Sequence, residues 1–393
     1  MDPERFRQSP AGKVVRVGQG EAGYWAFVPN PLPPRLNISP QLSVTLSEAD
    51  RALGELAGLG RHIPNPHLLH GPFVRKEAVL SSRIEGTQAD IADLYVYEAG
   101  QLGLPGIKPP PPEADVRQVR NYVQALEYGL QRVESLPISL RLMRELHGLL
   151  MQGVTGPEAY PGEFRATQNW IGPPGCTLND ADFVPPHPQA MAGTLGTLEA
   201  YLHQKNALPP LVRLALIHYQ FEAIHPFVDG NGRIGRLLIS LLLVHWGLLP
   251  LPLLYLSAYF ERFRPAYYDL LLGVSERGAW EEWTMFFLRG VAVQARDAAG
   301  RAKRLEDLRR EWTARLVGTR TSSLLLRLAE NLFTRPVISI PEAQRVLGVT
   351  YPSASKNVGK LVEKGILSQL GEGKYGRMFF APEILQLIGE EGA

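Results

Sequence analysis

One cysteine, Cys176, is all the thiol chemistry in 393 residues, so no intramolecular disulfide staples the fold and no thiolate cluster holds zinc. Net charge is nearly as scarce. Against 41 Lys and Arg stand 39 Asp and Glu, an excess of +2, which leaves no global field to draw the chain onto nucleic acid or an anionic membrane. Neither a Walker A string nor His-Glu-x-x-His occurs, which removes the P-loop and zincin readings. The opening Met1-Asp2-Pro3-Glu4-Arg5 lacks the basic-then-apolar pattern of a secretory signal, so the expected compartment is the cytoplasm. Only one apolar run, Leu237 to Leu256, approaches the roughly 20 residues that span a bilayer. His245, Gly247, Pro250 and Pro252 interrupt it, and Arg233 and Arg236 precede it. It reads as a buried core helix stopping near Trp246-Gly247, and no membrane partner is expected.

What remains is ordinary globular composition, 45% hydrophobic and 20% charged with 33 Pro and 38 Gly, in a length that fits two or three domains. Residues 1–40 carry two strand-like pieces, Val14–Val17 and Tyr24–Val28, as a non-helical wrap. Helical spacing begins at Ser43, with Leu46, Leu53, Leu56 and Leu59 on one face, and continues in helices expected over Val74–Gly86 and Gln88–Gly100. Pro109-Pro110-Pro111-Pro112 cannot be helical and marks a boundary. From Glu113 to about Arg301 the apolar residues again recur at helical spacing, broken at Tyr160–Pro188, where Pro, Gly and Asn169-Trp170-Ile171-Gly172 predict an irregular hairpin or flap.

Arg301–Arg320, with seven basic and three acidic residues, reads as a charged connecting helix. Beyond it, helices expected over Leu324–Leu332, Ile340–Leu347 and Pro352–Lys364 precede a two-stranded wing made of Ile366–Ser368, a turn at Gly371-Glu372-Gly373, and Met378–Phe380. That is a winged helix-turn-helix pattern. The fold class is therefore mostly α, a helical core with a β-hairpin flap plus a C-terminal winged-helix domain, divided as 1–110, 111–300 and 301–393.

The chemistry concentrates in His225-Pro226-Phe227-Val228-Asp229-Gly230-Asn231-Gly232-Arg233-Ile234-Gly235-Arg236. Gly230, Asn231 and Gly232 make a tight turn that leaves free backbone N–H groups at a helix N-terminus, a cradle for phosphate. Arg233 and Arg236, three apart on that helix, can turn both guanidinium forks to phosphate oxygens. Asp229 supplies a hard oxygen suited to Mg²⁺, and His225 is the side chain matched to take a hydroxyl proton near neutral pH. Taken together, these residues specify phosphate-ester chemistry. Two other glycine patterns mislead. Gly18-x-Gly20-x-x-Gly23 is followed by Tyr24–Pro34, which cannot be the helix a dinucleotide site needs, and Gly230-x-Gly232-x-x-Gly235 follows a helix and loop, not a strand.

The twelve-residue string matches every fixed position of His-x-Phe-x-Asp/Glu-Gly-Asn-Gly-Arg-x-x-Arg, and on it the chain resembles the Fic family. Asn121-Tyr122, Pro161-Gly162-Glu163-Phe164-Arg165, Gln168–Gly172 and Val184-Pro185-Pro186-His187-Pro188 extend the likeness over about residues 70 to 290. The resemblance implies transfer of AMP from ATP, with Mg²⁺, to a Ser, Thr or Tyr hydroxyl of a target protein. His225 would be the base and Asp229 the metal ligand. Gly230, Asn231, Gly232, Arg233, Ile234, Gly235 and Arg236 would form the nucleotide site, with Arg236 at the γ-phosphate. The flap near Ile171 would take the target as an added strand. Tyr267-Tyr268 resembles the nucleoside-contacting pair of the family, with Ser275 where some members have Asn.

Ser81-x-x-x-Glu85-Gly86 resembles the family's inhibitory motif, on a helix of about 74–86, and implies that Glu85 pairs with Arg236 where the γ-phosphate belongs. Three alternatives stand beside this reading. The same glutamate could support AMP removal, another nucleotide-derived group such as UMP, phosphocholine or phosphate could be transferred, or the winged helix could bind DNA through Lys356, Lys360 and Lys364. Homodimerisation is a further expectation of the resemblance.

Overall fold

A computed structural model describes residues 1–20, 23–62, 67–99, 111–153, 160–205, 207–317, 323–370 and 377–389. The expected turn at Gly371-Glu372-Gly373, the outer prolines Pro109-Pro110 and the end of the charged helix at 318–320 lie outside them. The chain is mostly helical with small antiparallel sheets, and it forms two compact units that are each discontinuous in sequence. The first holds 1–54, 124–248 and 256–294, and the second 55–123, 249–255 and 295–393.

Two strands open the first unit, β1 (Gly12–Val17) and β2 (Tyr24–Pro29), paired antiparallel from Gly12 opposite Pro29 to Val17 opposite Tyr24. Helix α1 (Pro40–His62) starts three residues before its apolar stripe, because the Ser39 hydroxyl accepts the Leu42 N–H at 3.1 Å and Pro40 occupies the first helical position.

The second unit takes the end of α1, then α2 (His67–Ile84) and α3 (Ile91–Glu98). Pro72 sits inside α2, which begins well before the expected Val74. Nearby, Arg75 Nη1 donates to the Gly71 carbonyl at 3.2 Å while its other nitrogens hold Glu98. A capping box between Asp90 and Asp93 fixes the start of α3. The chain passes back to the first unit within α4 (Glu113–Arg132), which begins directly after the prolines.

There follow α5 (Leu140–Leu150), α6 (Pro188–His203), α7 (Pro210–Ile224) and α8 (Asn231–His245). Both α7 and α8 are buried on nearly every side, as their lack of a polar face demands. Helix α8 ends with Trp246 as its cap and Gly247 at φ 70°, and among the described residues no helix is long and apolar enough to cross a membrane. Between α5 and α6 the flap is a minimal hairpin: Ile171 and Phe183 exchange backbone bonds at 2.8 and 3.0 Å. Helices α9 (Ser257–Arg262), α10 (Arg264–Arg277) and α11 (Trp280–Leu316) follow. The expected boundary at 300/301 falls inside α11, which runs unbroken for 37 residues because no proline interrupts it.

The second unit continues through α12 (Ser323–Thr334), β3 (Val337–Ser339), α13 (Ile340–Leu347), α14 (Tyr351–Glu363), β4 (Ser368–Leu370), β5 (Met378–Phe380) and α15 (Pro382–Gly389). Gly348 caps α13 in the left-handed region. Instead of the two expected strands the sheet has three, in the order β3-β5-β4, since Val337–Ser339 pairs with Phe380–Met378. Three residues between a helix and a helix start are too short to show alternation. Lys356 on α14 and Lys364 at its C-cap are exposed, with Lys360 half-buried.

In the first unit Phe6, Phe27 and Phe183 form a buried aromatic triad with centroids 5.7 to 6.1 Å apart, and the Phe27 N–H donates to Val184 at 2.8 Å. The N-terminal hairpin thus braces the base of the flap. Phe27→Ala is expected to cost about 3–5 kcal/mol, read as a fall in the urea midpoint of the unit that contains it.

Candidate active site

Helix α7 ends at His225, which stands at φ 49° and ψ 61°, one of two non-glycine residues at positive φ among the described residues. An L-residue in the left-handed region is disfavoured by about 1–2 kcal/mol, so neighbouring bonds must hold it. The His225 N–H donates to Phe221 at 3.0 Å, and ring Nδ1 lies 3.3 Å from the Glu222 carbonyl. A carbonyl can only accept. With Nδ1 donating to that carbonyl, Nε2 is the ring nitrogen suited to act as a general base.

The loop beyond His225 is fixed from two sides. Asn231 Oδ1 accepts the Phe227 N–H and Asn231 Nδ2 donates to the Phe227 carbonyl, both at 2.8 Å. On α5, buried His147 stacks flat on Phe227, with centroids 3.8 Å apart and planes 7° apart. Its Nδ1 accepts the Gly162 N–H at 2.9 Å, so its Nε2–H donates to the Asp229 carbonyl at 3.0 Å. Burial pushes the His147 imidazole down to about 4, and it stays neutral in this role. Gly230, at φ 78°, leaves no room for a side chain: a Cβ there would stand 2.9 Å from Met151 Sδ.

At the start of α8 the first intrahelical bond runs from Ile234 N–H to Gly230 at 3.0 Å. The amides of Asn231, Gly232 and Arg233 precede it, as the first N–H groups of any helix do, and form the anion-favouring end. Because the Asn231 side chain is committed to Phe227, its share in an anion site is its backbone N–H. Asp229 is exposed. Its Oδ1 accepts the Gly230 N–H at 2.6 Å and its Oδ2 the Arg233 Nη2–H at 3.3 Å. Among the described residues no three of His, Cys, Asp and Glu gather as a cation site. One exposed carboxylate beside an anion cradle fits Mg²⁺ that takes its remaining ligands from phosphate and water.

Arg233 and Arg236 are each 2% exposed. Behind Arg236, burial and then the Arg236 charge push His218 down to about 3, and His218 Nε2 bonds Tyr267 Oη at 2.8 Å. Gly235 lets the Glu222 side chain approach closely, since a Cβ there would meet Glu222 Oε1 at 2.2 Å and move that side chain.

The fold thus brings together His225, Asp229 and Gly230 through Arg236. It divides the tyrosine pair. Tyr267 is 1% exposed and stacks on Phe260 at 4.5 Å, a core residue, whereas Tyr268 is 40% exposed. Ser275 is buried and bonded to Tyr219 at 2.8 Å. Ile171 is 39% exposed on the flap. Ser81 is buried on α2, and Glu85 and Gly86 are exposed at its end, where Gly86 takes φ 101°. Sequence reasoning assigned no site role to His147, Glu222, Asn169 or Arg165. Asn169 Nδ2 donates to Phe227 at 2.9 Å, and Arg165 Nε to the His225 carbonyl at 2.9 Å. All four lie outside the signature or at its unpatterned edge, and only contact reveals them.

The His147 shift has a definite sign. A folded value near 4 against 6.5 means the unfolded chain binds the extra proton, so stability is complete above pH 6.5 and is lost as pH falls toward 4. The loss reaches about 3 kcal/mol at about 1.4 kcal/mol per unit, and His218, whose folded value is about 3, adds a loss that also begins near pH 6.5 and continues to about pH 3. Melting temperatures from pH 7 to 4 are expected to fall less steeply in His147→Asn than in the unaltered chain.

Comparison with known proteins supplies the family. Residues 44–131 match the family described as Fic/DOC family N-terminal, and residues 137–243 the Fic/DOC family. A Protein adenylyltransferase Fic of Drosophila grimshawi is 39% identical over 120 residues, 30% of this chain and 23% of that protein. The Drosophila mojavensis protein of the same name is 38% identical over 120 residues, 30% of this chain and 22% of that protein. The match spans less than a quarter of the length of these curated relatives. Among solved structures, a Fic family protein from Desulfovibrio desulfuricans G20 superposes with a TM-score of 0.56 at 20% identity, over 89% of this chain and 98% of that one. A Fic domain containing signaling protein from Bacteroides thetaiotaomicron VPI-5482 gives 0.52 at 18% identity, over 66% of this chain and 97% of that one. At such identities the likeness is one of fold, and it agrees with the sequence signature that the geometry assembles around His225: this chain belongs to the Fic/DOC family.

Proposed function

We propose that this chain transfers AMP from ATP to a hydroxyl side chain, Ser, Thr or Tyr, of a target protein. The observation that carries the reading is an imidazole oriented through Nδ1 by the Glu222 carbonyl, in the same twelve residues as a helix N-terminus, an exposed carboxylate and two buried arginines. The name borne by the Drosophila relatives supports it.

In this scheme the target hydroxyl oxygen attacks the α-phosphorus of ATP, its proton passes to His225 Nε2, the bond to the bridging oxygen breaks, and pyrophosphate leaves. The amides at the start of α8 and the guanidinium groups of Arg233 and Arg236 neutralise phosphate charge in place, so most of the catalysis is positioning and electrostatics. Mg²⁺, when held by Asp229, would supply charge neutralisation on the departing phosphates. Tyr268 contacts the nucleoside face, and the target lies against the Ile171 strand of the flap by backbone pairing. The α12-β3-α13-α14-β4-β5 segment serves as a winged helix-turn-helix module.

Glu85 is the brake in this reading. Its N–H donates to the Ser82 carbonyl at 3.0 Å, which places the residue just past the C-terminal end of α2. Paired with Arg236, it would hold ATP in an unproductive pose.

Intact-mass spectrometry tests base and brake together. After incubation with ATP and Mg²⁺, with and without host lysate, Glu85→Gly is expected to gain AMP-sized adducts or to place them on a lysate protein. Glu85→Gly/His225→Ala is expected to be slower by at least about 10²-fold. Equal labelling by both variants rejects His225 as the base. If neither transfers AMP while both bind ATP, and UTP or CDP-choline does label, the donor assignment is overturned.

A further inference from the structure

We propose that Arg165 is a positioning residue for His225, its guanidinium holding the backbone carbonyl that fixes the aim of the imidazole. The catalytic half of this inference rests on the adenylyl-transfer reading; the structural half does not.

Arg165 is 3% exposed, yet its side chain meets carbonyl oxygens and no carboxylate among the described residues. Nε donates to His225 at 2.9 Å, Nη1 to Thr167 at 3.1 Å, and Nη2 to Pro186 and, at 3.5 Å, to Ile224. Its own N–H donates to the Pro226 carbonyl at 2.9 Å. Burial lowers the guanidinium to about 10, which still leaves it charged near neutral pH. A buried cation with no counter-ion is costly, and this one is compensated by carbonyl dipoles, two of them at the C-terminal end of α7, where the helix dipole favours positive charge.

That arrangement answers a problem posed by His225. The place after a helix where the backbone turns left-handed usually goes to glycine, but here the side chain is the point of the residue. Phe227, just downstream, is already clamped by Asn231 and His147. Any rotation of ψ at His225 would then swing the imidazole, not the loop. Holding the His225 and Pro226 carbonyls removes that rotation. The same guanidinium reaches Thr167 and Pro186, on the two arms of the flap, so the platform for the target and the imidazole share one anchor. Lysine, with a single ammonium in place of a planar fork, cannot serve these divergent acceptors together.

Nitrogen-resolved NMR of the histidine rings, in protein without nucleotide, reads the positioning directly. In the unaltered chain, His225 is expected as the Nδ1–H tautomer, and the Arg165 Nε–H is expected to be protected from exchange and coupled to the His225 carbonyl. In Arg165→Lys, the His225 ring signals are expected to move toward a mixture of tautomers. In the Glu85→Gly background, Arg165→Lys should lower kcat by about 10²-fold and leave KM for ATP within about threefold. A residue that merely fills space would lower the melting temperature and leave ring signals and kcat in place; that result overturns the proposal. So does a freely exchanging Arg165 Nε–H in the unaltered chain, which settles the matter even if Arg165→Lys does not fold. If the ring signals shift but no variant transfers AMP, the positioning role stands and the adenylyl-transfer reading fails instead.

Discussion

A histidine held left-handed at the end of a fully buried helix is the constraint around which the first unit is organised. α7 must be buried on almost every side to be rigid, and it must stop abruptly for its last side chain to leave the helix cylinder. Glycine would make that stop without strain, and would have no imidazole. The strain is therefore retained and offset by bonds from elsewhere: Arg165 and Asn169 on the flap arm and Asn231 on the next helix. His147 does the same from below, linking the flap base at Gly162 to the loop at Asp229 through one neutral ring.

The second physical theme is the handling of buried positive charge. Arg233, Arg236 and Arg165 are all withdrawn from water, and each is treated differently. Arg233 has Asp229 within reach, Arg165 meets carbonyl oxygens and no carboxylate among the described residues, and Arg236 lies close enough to depress His218. In the proposed reaction, a polyphosphate would exchange water for charges already fixed in place, with little reorganisation. The N-terminal hairpin contributes at a distance. Its Phe27 packs under the flap, so residues 1–43, which lie outside the matched family regions, still bear on where the flap stands.

Much of this was legible before any fold was known. α13 was read over Ile340–Leu347, where it lies, and the arrest of α8 at Trp246-Gly247 followed from glycine and proline. β3 has no mark in the spacing because three residues carry no periodicity, and the early start of α1 rests on the Ser39-Pro40 cap, a signal of polarity and ring geometry, not of hydrophobic spacing. The tyrosine pair shows the limit of motif reading. Adjacent residues on a helix point about 100° apart, so Tyr267 and Tyr268 cannot share an environment, and one fell into the core.

Sequence by itself determined the composition of the reactive loop, because a turn of Gly230-Asn231-Gly232 and two arginines three apart are local geometry that few residues could replace. It also determined which stretches are helical, through spacing that depends only on the chain. Tertiary structure alone decided the orientation of His225, the neutrality of His147, the service of Arg165 and the burial of Tyr267. Each of those depends on a carbonyl, a ring or a dipole brought from a distant part of the chain, and electrostatic and packing forces act over ångströms in space with no regard for separation along the sequence.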